Sequence, residues 1–252
     1  MLQRPRHEIG PDEVHVWHVL ADQAPLAEAL RTLLDAGEIA RMSCLHHAKD
    51  RELFLLSRVL MRSVLASYLG CDAREICFAC DNHGKPTLRA DRHGESLRFN
   101  LTHSRGAAVL AISRREVGVD VENRQRKVEY LALADRFFAP DEARHLRGVG
   151  EAKRPDAFFA IWTLKEAFVK GIGRGLAFPL EAFAFDLDVD RLIAFRPLAD
   201  FVARDWHFRQ FELDALHCGA LAVHHPADNV LTIELRDWRT AFLPSSRAHG
   251  SA

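Results

Sequence analysis

Apolar residues recur along the chain with two different periods. Between residues 49 and 69 they return every three or four positions, which predicts a long helix that ends at Gly70. The same period predicts shorter helices at residues 25–35, 37–47, 128–136, 140–147 and 155–170.

Alternating or continuous apolar runs predict strands. They lie at residues 14–20, 75–80, 97–102, 107–112, 117–122, 183–187, 206–211, 219–223 and 230–235. The order strand, helices, strands thus occurs twice, which favours an α+β fold and suggests two similar halves. We predict an N-terminal half at 1–113, a C-terminal half at 114–243, and a flexible polar tail at 244–252.

The predicted strand VGVDVE, residues 117–122, carries two carboxylates at alternate positions. Its three valines point to one side, and Gly118, Asp120 and Glu122 point to the other. Two such carboxylates repel each other unless a positive group lies between them, and Mg²⁺ prefers oxygen ligands of this kind. The pattern therefore fits a metal site, and it also fits a strand with one solvated face.

The predicted helix at 158–170 is unusually apolar. At 100° per residue its apolar side chains cover more than half of the circumference, while Thr163, Glu166 and Lys170 form a narrow polar stripe. Such a helix is predicted to be buried, and buried charges need partners or a ligand. Glu166 and Lys170 are either an ordinary ion pair or part of a site. Lys165, within the apolar arc, has either a structural or a ligand-facing role.

Composition narrows the classes of function. The 252 residues are 48% hydrophobic and 27% charged, which supports a sizeable core. The formal net charge of -1 argues against a strongly basic nucleic-acid binder. We predict no membrane span, because no charge-free apolar run approaches the roughly 18 residues that one needs. The first residues lack the apolar core of a signal peptide, so we expect a cytoplasmic protein. Five scattered cysteines predict free thiols.

Four motifs occur in order: GKP (84–86), FNLTHS (99–104), VGVDVE (117–122) and FFAIWTLKEAFVKGIG (158–173). Together they resemble the successive motifs of the 4′-phosphopantetheinyl transferase superfamily, in its larger, single-chain (surfactin-synthetase-activating) type. The resemblance covers roughly residues 14–235. It implies transfer of the phosphopantetheine arm of coenzyme A to a serine of an apo acyl, peptidyl or aryl carrier protein, with release of adenosine 3′,5′-bisphosphate. It also implies a monomer of two similar α/β halves, a pseudo-dimer with the active site in the cleft between them.

The resemblance implies roles for individual residues. It makes Asp120, Glu122 and Glu166 the ligands of Mg²⁺ and gives Lys170 a contact with the pyrophosphate and a part in proton movement. Glu142 corresponds to a glutamate proposed as a general base. The catalytic set is thus Asp120, Glu142, Glu166 and Lys170. The residues expected to contact coenzyme A are Arg41, Lys85, Pro86, Thr102, His103, Asp120 and Lys170. Thr102 stands where the family has serine and keeps the hydroxyl.

Coenzyme A is expected on the N-terminal half, and the metal and the carrier protein on the C-terminal half. The basic segment RQRK, residues 124–127, directly follows the carboxylate strand. It would attract an acidic carrier protein, although a solvated loop has the same composition. Two alternatives remain. A Mg²⁺-dependent hydrolase of nucleotide pyrophosphates would need neither GKP nor the Thr–His pair. An inactive carrier-binding module would be expected to have lost some of the acidic residues or Lys170.

Overall fold

The computed structural model describes residues 5–21, 28–81, 84–94, 97–175, 178–188, 190–197, 205–226 and 229–243. The strands of this part are β1 Glu13–Leu20, β2 Phe78–Cys80, β3 Pro86–Leu88, β4 Arg98–Ser104, β5 Ala107–Ser113, β6 Val117–Asn123, β7 Ala184–Asp188, β8 Arg191–Arg196, β9 Trp206–Glu212, β10 His217–His224 and β11 Thr232–Asp237. The helices are α1 Ala36–Ser43, α2 Ala48–Leu69, α3 Ala90–His93, α4 Tyr130–Phe137, α5 Pro140–Gly148, α6 Arg154–Ile172 and α7 Trp238–Phe242.

Two sheets and two long helices form four layers. The first sheet has the order β11-β1-β5-β4 and the second the order β6-β10-β9. Helix α2 packs on the outer face of the first sheet, and α6 packs on the outer face of the second. Strand pairs β2-β3 and β7-β8 form two further, smaller sheets. Each half therefore has one larger sheet and one long helix, which confirms the predicted α+β fold with two halves.

Alternation along the strands explains the layers. In β1, Val14 and Val16 face the second sheet, whereas Trp17 and Val19 face helix α2. The valines of β6 join the same apolar layer between the sheets. Because both faces of β5 are covered, all seven of its residues are buried.

Strand β6 and helix α6 are in backbone contact at Gly118. A methyl group added at that residue would lie 2.1 Å from the carbonyl oxygen of Ala167 and 2.2 Å from the amide nitrogen of Gly171. Gly171 in turn lies against the ring of Trp206. A side chain at 118 would hold the helix away from the strand, so glycine sets the spacing between these two elements.

Most predicted helices and strands are present with ends within three residues of the prediction. The helix predicted at 37–47 already ends at Ser43. The helix predicted at 25–35 falls partly on residues 22–27, outside the described residues, and its later part is a 3₁₀ turn at Arg31–Leu33. The predicted tail, 244–252, also lies outside them.

Local patterns did not predict β3, β8, α3 and α7, which are short or mostly exposed. Local patterns also do not indicate which strand pairs with β11. This strand pairs in parallel with β1, so residues 232–237 join the sheet of the N-terminal half. The domain boundary after residue 113 stays a prediction. Residues 232–237 follow that boundary in sequence but belong to the sheet of the N-terminal half.

The structure also bears on the predictions of free thiols and of no membrane span. All five cysteines are free, as the sequence predicts. Among the described residues, no helix combines the length and the apolar character that a membrane span requires.

We predict that Gly118→Ala lowers the free energy of unfolding by at least about 2 kcal/mol, because the new methyl group overlaps the backbone of α6. Gly148→Ala is the matched control, since apart from the adjacent residues and the backbone of its own helix no described atom lies within 4 Å of the added methyl group. Alanine at this position at the end of α5 should leave stability unchanged or raise it by up to about 1 kcal/mol. Urea unfolding of both variants measures the difference, and equal stabilities would contradict the contact.

Candidate active site

Strand β6 and helix α6 bring four charged side chains together where the two elements face each other, a region that we call the cleft. Asp120 and Glu122 alternate with the valines of β6 and so face the helix. Glu166 and Lys170 are four residues apart and lie on one side of α6. The three carboxylate residues are only 5%, 8% and 8% exposed. Burial raises the pKa of Glu166, and the charges of Asp120 and Glu122 raise that pKa further.

Asp120 is held by groups from both halves of the molecule. Its Oδ1 accepts a hydrogen bond from the Thr102 hydroxyl of β4 at 3.1 Å and from Lys170 Nζ at 2.5 Å. Lys170 Nζ also donates to Thr102 Oγ1 at 3.2 Å. The ammonium group therefore lies where the two halves meet, between a hydroxyl and a carboxylate.

Glu122 is bonded in a similar way. Its Oε2 accepts a hydrogen bond from Ser104 Oγ at 3.0 Å, and its Oε1 lies 2.7 Å from Arg126 Nη1. Burial, followed by the charge of Asp120, raises the pKa of the Glu122 carboxyl, and Arg126 partly offsets this shift. Arg126 thus connects the basic segment to the site, and its side chain remains 53% exposed.

The oxygen atoms of the cleft indicate whether a metal ion fits there. Within the described residues, no three carboxylate, imidazole or thiolate groups converge closely enough to hold one ion. However, Asp120 Oδ2 and Glu166 Oε1 are buried and have no hydrogen-bond partner there. Buried polar atoms normally have a hydrogen-bond partner, so these two oxygens could accept a cation or a hydrogen-bond donor. A set of carboxylate oxygens fits a hard cation such as Mg²⁺.

Lys85 lies beside these elements but is already bonded. Its Nζ donates to the carbonyl oxygen of Val117 at 3.1 Å and to that of Lys170 at 2.8 Å. Burial lowers the pKa of Lys85. The side chain thus ties the start of β6 to the end of α6, and Pro86 next to it begins β3. The predicted contacts of Lys85 and Pro86 with coenzyme A stay predictions.

His103, on β4, is within electrostatic reach of two cations, Arg58 and Lys170. Burial of part of its ring lowers the pKa of His103, and the charges of Arg58 and Lys170 lower it further. Arg58, on α2, is also within electrostatic reach of Arg41. The predicted coenzyme contacts Arg41 and His103 are therefore each within electrostatic reach of Arg58. Sequence analysis missed Arg58, because one arginine in a long helix gives no local signal.

Glu142 has other contacts. Its Oε2 lies 2.8 Å from Lys165 Nζ and accepts a hydrogen bond from the amide of Ala139, while its Oε1 accepts one from the amide of Phe185. Both oxygens are therefore occupied, and the residue is 2% exposed. These contacts favour a structural role for Glu142 over that of the predicted general base.

Lys165 is the buried partner of Glu142. Its side chain is fully buried, and its Nζ also donates to the carbonyl oxygens of Leu180 and Phe183 at 2.8 and 2.7 Å. Burial lowers the pKa of Lys165, whereas the charge of Glu142 raises it. Of the two roles that the sequence left open for Lys165, these contacts support the structural one.

Carboxylates, a lysine and hydroxyl groups that face one cleft are typical of enzymes that act on phosphate esters. Comparison with protein families identifies the class more closely. Residues 116–228 match the model of the 4'-phosphopantetheinyl transferase superfamily, and residues 17–115 match the model of the 4'-phosphopantetheinyl transferase N-terminal region.

Individual relatives extend over most of the chain. The 4'-phosphopantetheinyl transferase HetI of Nostoc sp. is 37% identical over 69% of this chain and 74% of its own length. The 4'-phosphopantetheinyl transferase Sfp of Bacillus subtilis is 30% identical over 72% of this chain and 78% of its own. A phosphopantetheinyl transferase of Thraustochytrium sp. is 34% identical over 86% and 81%. The chain belongs to the 4′-phosphopantetheinyl transferase superfamily, which confirms the family predicted from its motifs.

We predict that Lys165→Met lowers the free energy of unfolding by about 3–5 kcal/mol, because it leaves the Glu142 carboxylate buried without its cation. Lys153→Met, at an exposed lysine just before α6, should change stability by no more than about 0.5 kcal/mol. Urea unfolding at neutral pH measures both.

The loss in Lys165→Met should also depend on pH. Without the lysine, the folded-state pKa of Glu142 lies above its unfolded value, so the variant is destabilised at higher pH and recovers as the carboxyl becomes protonated. The difference from the unsubstituted protein should thus shrink between about pH 8 and pH 5. A pH-independent difference would argue against the ion pair.

Proposed function

We propose that this chain transfers the 4′-phosphopantetheine arm of coenzyme A to a serine hydroxyl of an apo carrier protein and releases adenosine 3′,5′-bisphosphate. The observation that carries the proposal is the meeting of Asp120, Glu122, Glu166 and Lys170 in one cleft, in a chain of this family. Action as a monomer in the cytoplasm is part of the proposal.

Asp120, Glu122 and Glu166 would hold Mg²⁺. The unpaired oxygens of Asp120 and Glu166 support this assignment, as does the raised pKa of both glutamates, since a cation would offset the repulsion among three buried carboxylates. When bound, the ion would supply charge stabilisation at the pyrophosphate.

In the reaction, the serine oxygen forms a bond to the phosphorus that carries the pantetheine arm. The bond from that phosphorus to the bridging oxygen breaks, and its electron pair leaves with adenosine 3′,5′-bisphosphate. Lys170 is placed to bind phosphate oxygens, because its ammonium lies between Thr102 and Asp120 and is partly exposed. A fixed ammonium at that position stabilises charge on the leaving group.

The serine proton must pass to a base in the cleft. We assign this role to the carboxylates that face the cleft rather than to Glu142, whose two oxygens already accept hydrogen bonds. Thr102 and Ser104 orient Asp120 and Glu122, respectively, and so fix the direction in which each carboxylate presents its remaining lone pairs.

A cleft of about 600 Å³ beside Glu122 supports a docking role for the basic segment. It is lined by Ser104, Arg105, Gln125, Arg126 and Lys127. Three of the five side chains are cationic and would attract an acidic carrier protein by electrostatic steering. A carrier bound there would bring its serine close to Glu122.

The test is to incubate the protein with coenzyme A, Mg²⁺ and a panel of apo carrier proteins, and to weigh the carriers by mass spectrometry. We expect at least one carrier to gain the mass of the phosphopantetheine arm. If coenzyme A is cleaved while no carrier gains mass, the hydrolase is correct instead. If coenzyme A stays intact although a carrier binds, the chain is a carrier-binding module.

We further predict that Glu166→Gln lowers the transfer rate at least about 100-fold. Its free energy of unfolding should not fall, because the substitution removes a buried charge with an unpaired oxygen. Rates come from product mass against time, and stability comes from urea unfolding. Glu181→Gln, at an exposed glutamate, serves as the control and should keep full activity. Near-normal transfer by Glu166→Gln would remove the metal assignment.

A further inference from the structure

The turn between β4 and β5 is held by two buried side chains of the C-terminal half. The carbonyl oxygen of Arg105, in this turn, accepts a hydrogen bond from Asn123 Nδ2 at 2.9 Å. The same oxygen lies 2.8 Å from Nε2 of His217. Asn123 ends β6 and His217 begins β10, and the two residues are paired across the sheet. They are only 5% and 4% exposed, so these contacts lie beneath the surface.

The ring of His217 is oriented by Asp214. Its Nδ1 lies 2.9 Å from Oδ1 of Asp214, and that oxygen also accepts hydrogen bonds from the amides of Leu216 and His217 at 2.7 and 2.8 Å. An ionised carboxylate accepts but does not donate, so Nδ1 carries a proton. On the other side of the ring, Nε2 lies 3.1 Å from Asn123 Nδ2. A neutral ring accepts a hydrogen bond from Asn123 there and a charged ring donates one to Arg105, so the ring is bonded in either state.

The backbone of the turn packs directly on this ring. Gly106 has a φ of +92°, in the left-handed region that favours glycine, and a methyl group added there would lie 3.1 Å from His217 Nε2. The carbonyl oxygen of Gly106 accepts a hydrogen bond from the amide of Ala21, which directly follows β1. The turn is therefore fixed from both halves, and its position depends on the ring of His217.

The side chain of Asn123 joins the two walls of the cleft of about 600 Å³ beside Glu122, which we call the docking cleft. One wall is the β4–β5 turn and the other is the basic segment; together they comprise Ser104, Arg105, Gln125, Arg126 and Lys127. Nδ2 of Asn123 bonds the first wall at Arg105, and Oδ1 accepts a hydrogen bond from the amide of Gln125 in the second wall at 2.9 Å. Both ends of one planar amide are thus used, and this amide sets the separation of the walls.

We propose that Asn123 and His217 are positioning residues for carrier recognition, which hold the walls of the docking cleft at the separation that receives the carrier protein. The inference rests on the proposed function and extends it to residues outside the four motifs. A site whose walls are fixed before binding need not be ordered when the carrier arrives, and this favours affinity. The walls carry three cations, and walls that drift apart would attract an acidic partner less strongly.

The test is the steady-state kinetics of transfer to an apo carrier protein that gains the phosphopantetheine arm. His217→Leu removes both ring nitrogens, and Asn123→Ser removes the amide that joins the walls. Either substitution should raise the KM for the carrier about 3- to 10-fold, since it removes hydrogen bonds that fix the docking cleft. The turnover number at saturating carrier and the KM for coenzyme A should stay within about twofold, because the predicted coenzyme contacts are other residues.

His225→Leu is the matched control. His225 also joins β10 to the N-terminal half, through a contact of 2.9 Å with Asp12, and it is fully buried, but it follows the other end of that strand. Urea unfolding should show a loss of stability in His225→Leu and His217→Leu alike, whereas only His217→Leu should raise the KM for the carrier. His217→Gln keeps an amide nitrogen near the position of Nε2, and it should restore this KM to within about twofold of the unsubstituted value.

Two results would overturn the inference while leaving the proposed function intact. One is a KM for the carrier within about twofold of the unsubstituted value in both His217→Leu and Asn123→Ser. The other is an equal rise of this KM in His225→Leu, which would indicate a general loss of rigidity. If His217→Leu does not fold, Asn123→Ser decides the question, because it leaves the ring and Asp214 in place. If the unsubstituted chain transfers the arm to no carrier, the proposed function fails and this inference fails with it.

Discussion

The backbone contact between β6 and α6 at Gly118 sets the geometry on which the rest of the site depends. A strand presents side chains to one face at every second residue, and a helix does so at every third or fourth. Side chains of a strand and a helix can therefore face each other over only a short stretch. Here that stretch is centred on the contact. It brings Lys170 onto Asp120 and places Glu166 within reach of both carboxylates of the strand. The apolar layer behind β6 and the aromatic side chains around Phe168 press the two elements together.

Repulsion among the carboxylates of the cleft destabilises the folded state. Three buried carboxylates repel each other, and two of them keep an oxygen without a partner in the described part of the chain. Lys170 and Arg126 offset part of this repulsion, and both side chains remain accessible to a ligand. The opposite holds for Glu142 and Lys165, whose charged atoms bond one another and nearby backbone groups. Among the described residues, one charge cluster thus has its polar atoms paired, and the other keeps two unpaired carboxylate oxygens.

Local sequence patterns predicted the elements that carry the site, because periodicity is a property of adjacent residues. The alternation in VGVDVE correctly placed Asp120 and Glu122 on one face, and the narrow stripe correctly placed Glu166 with Lys170. Patterns could not reveal contacts between distant segments, such as those of Glu142 with Lys165 or of Lys85 with the carbonyl of Lys170. The resemblance to a family supplied roles, and only the contacts could separate structural residues from ligand-facing ones.

The pairing of β11 with β1 has a consequence for how the protein is made. Glu13 pairs with Thr232, so β1 leaves the ribosome well before the strand that closes its edge, and an interval of synthesis separates the two. At about 5–20 residues per second, this interval is roughly 10–40 s. During that time β1 can pair with β5, but its other edge presents free N–H and C=O groups to any neighbouring chain. The nascent protein is therefore exposed to aggregation at this edge until β11 has been synthesised, and only a chain that includes residues 232–237 can close it.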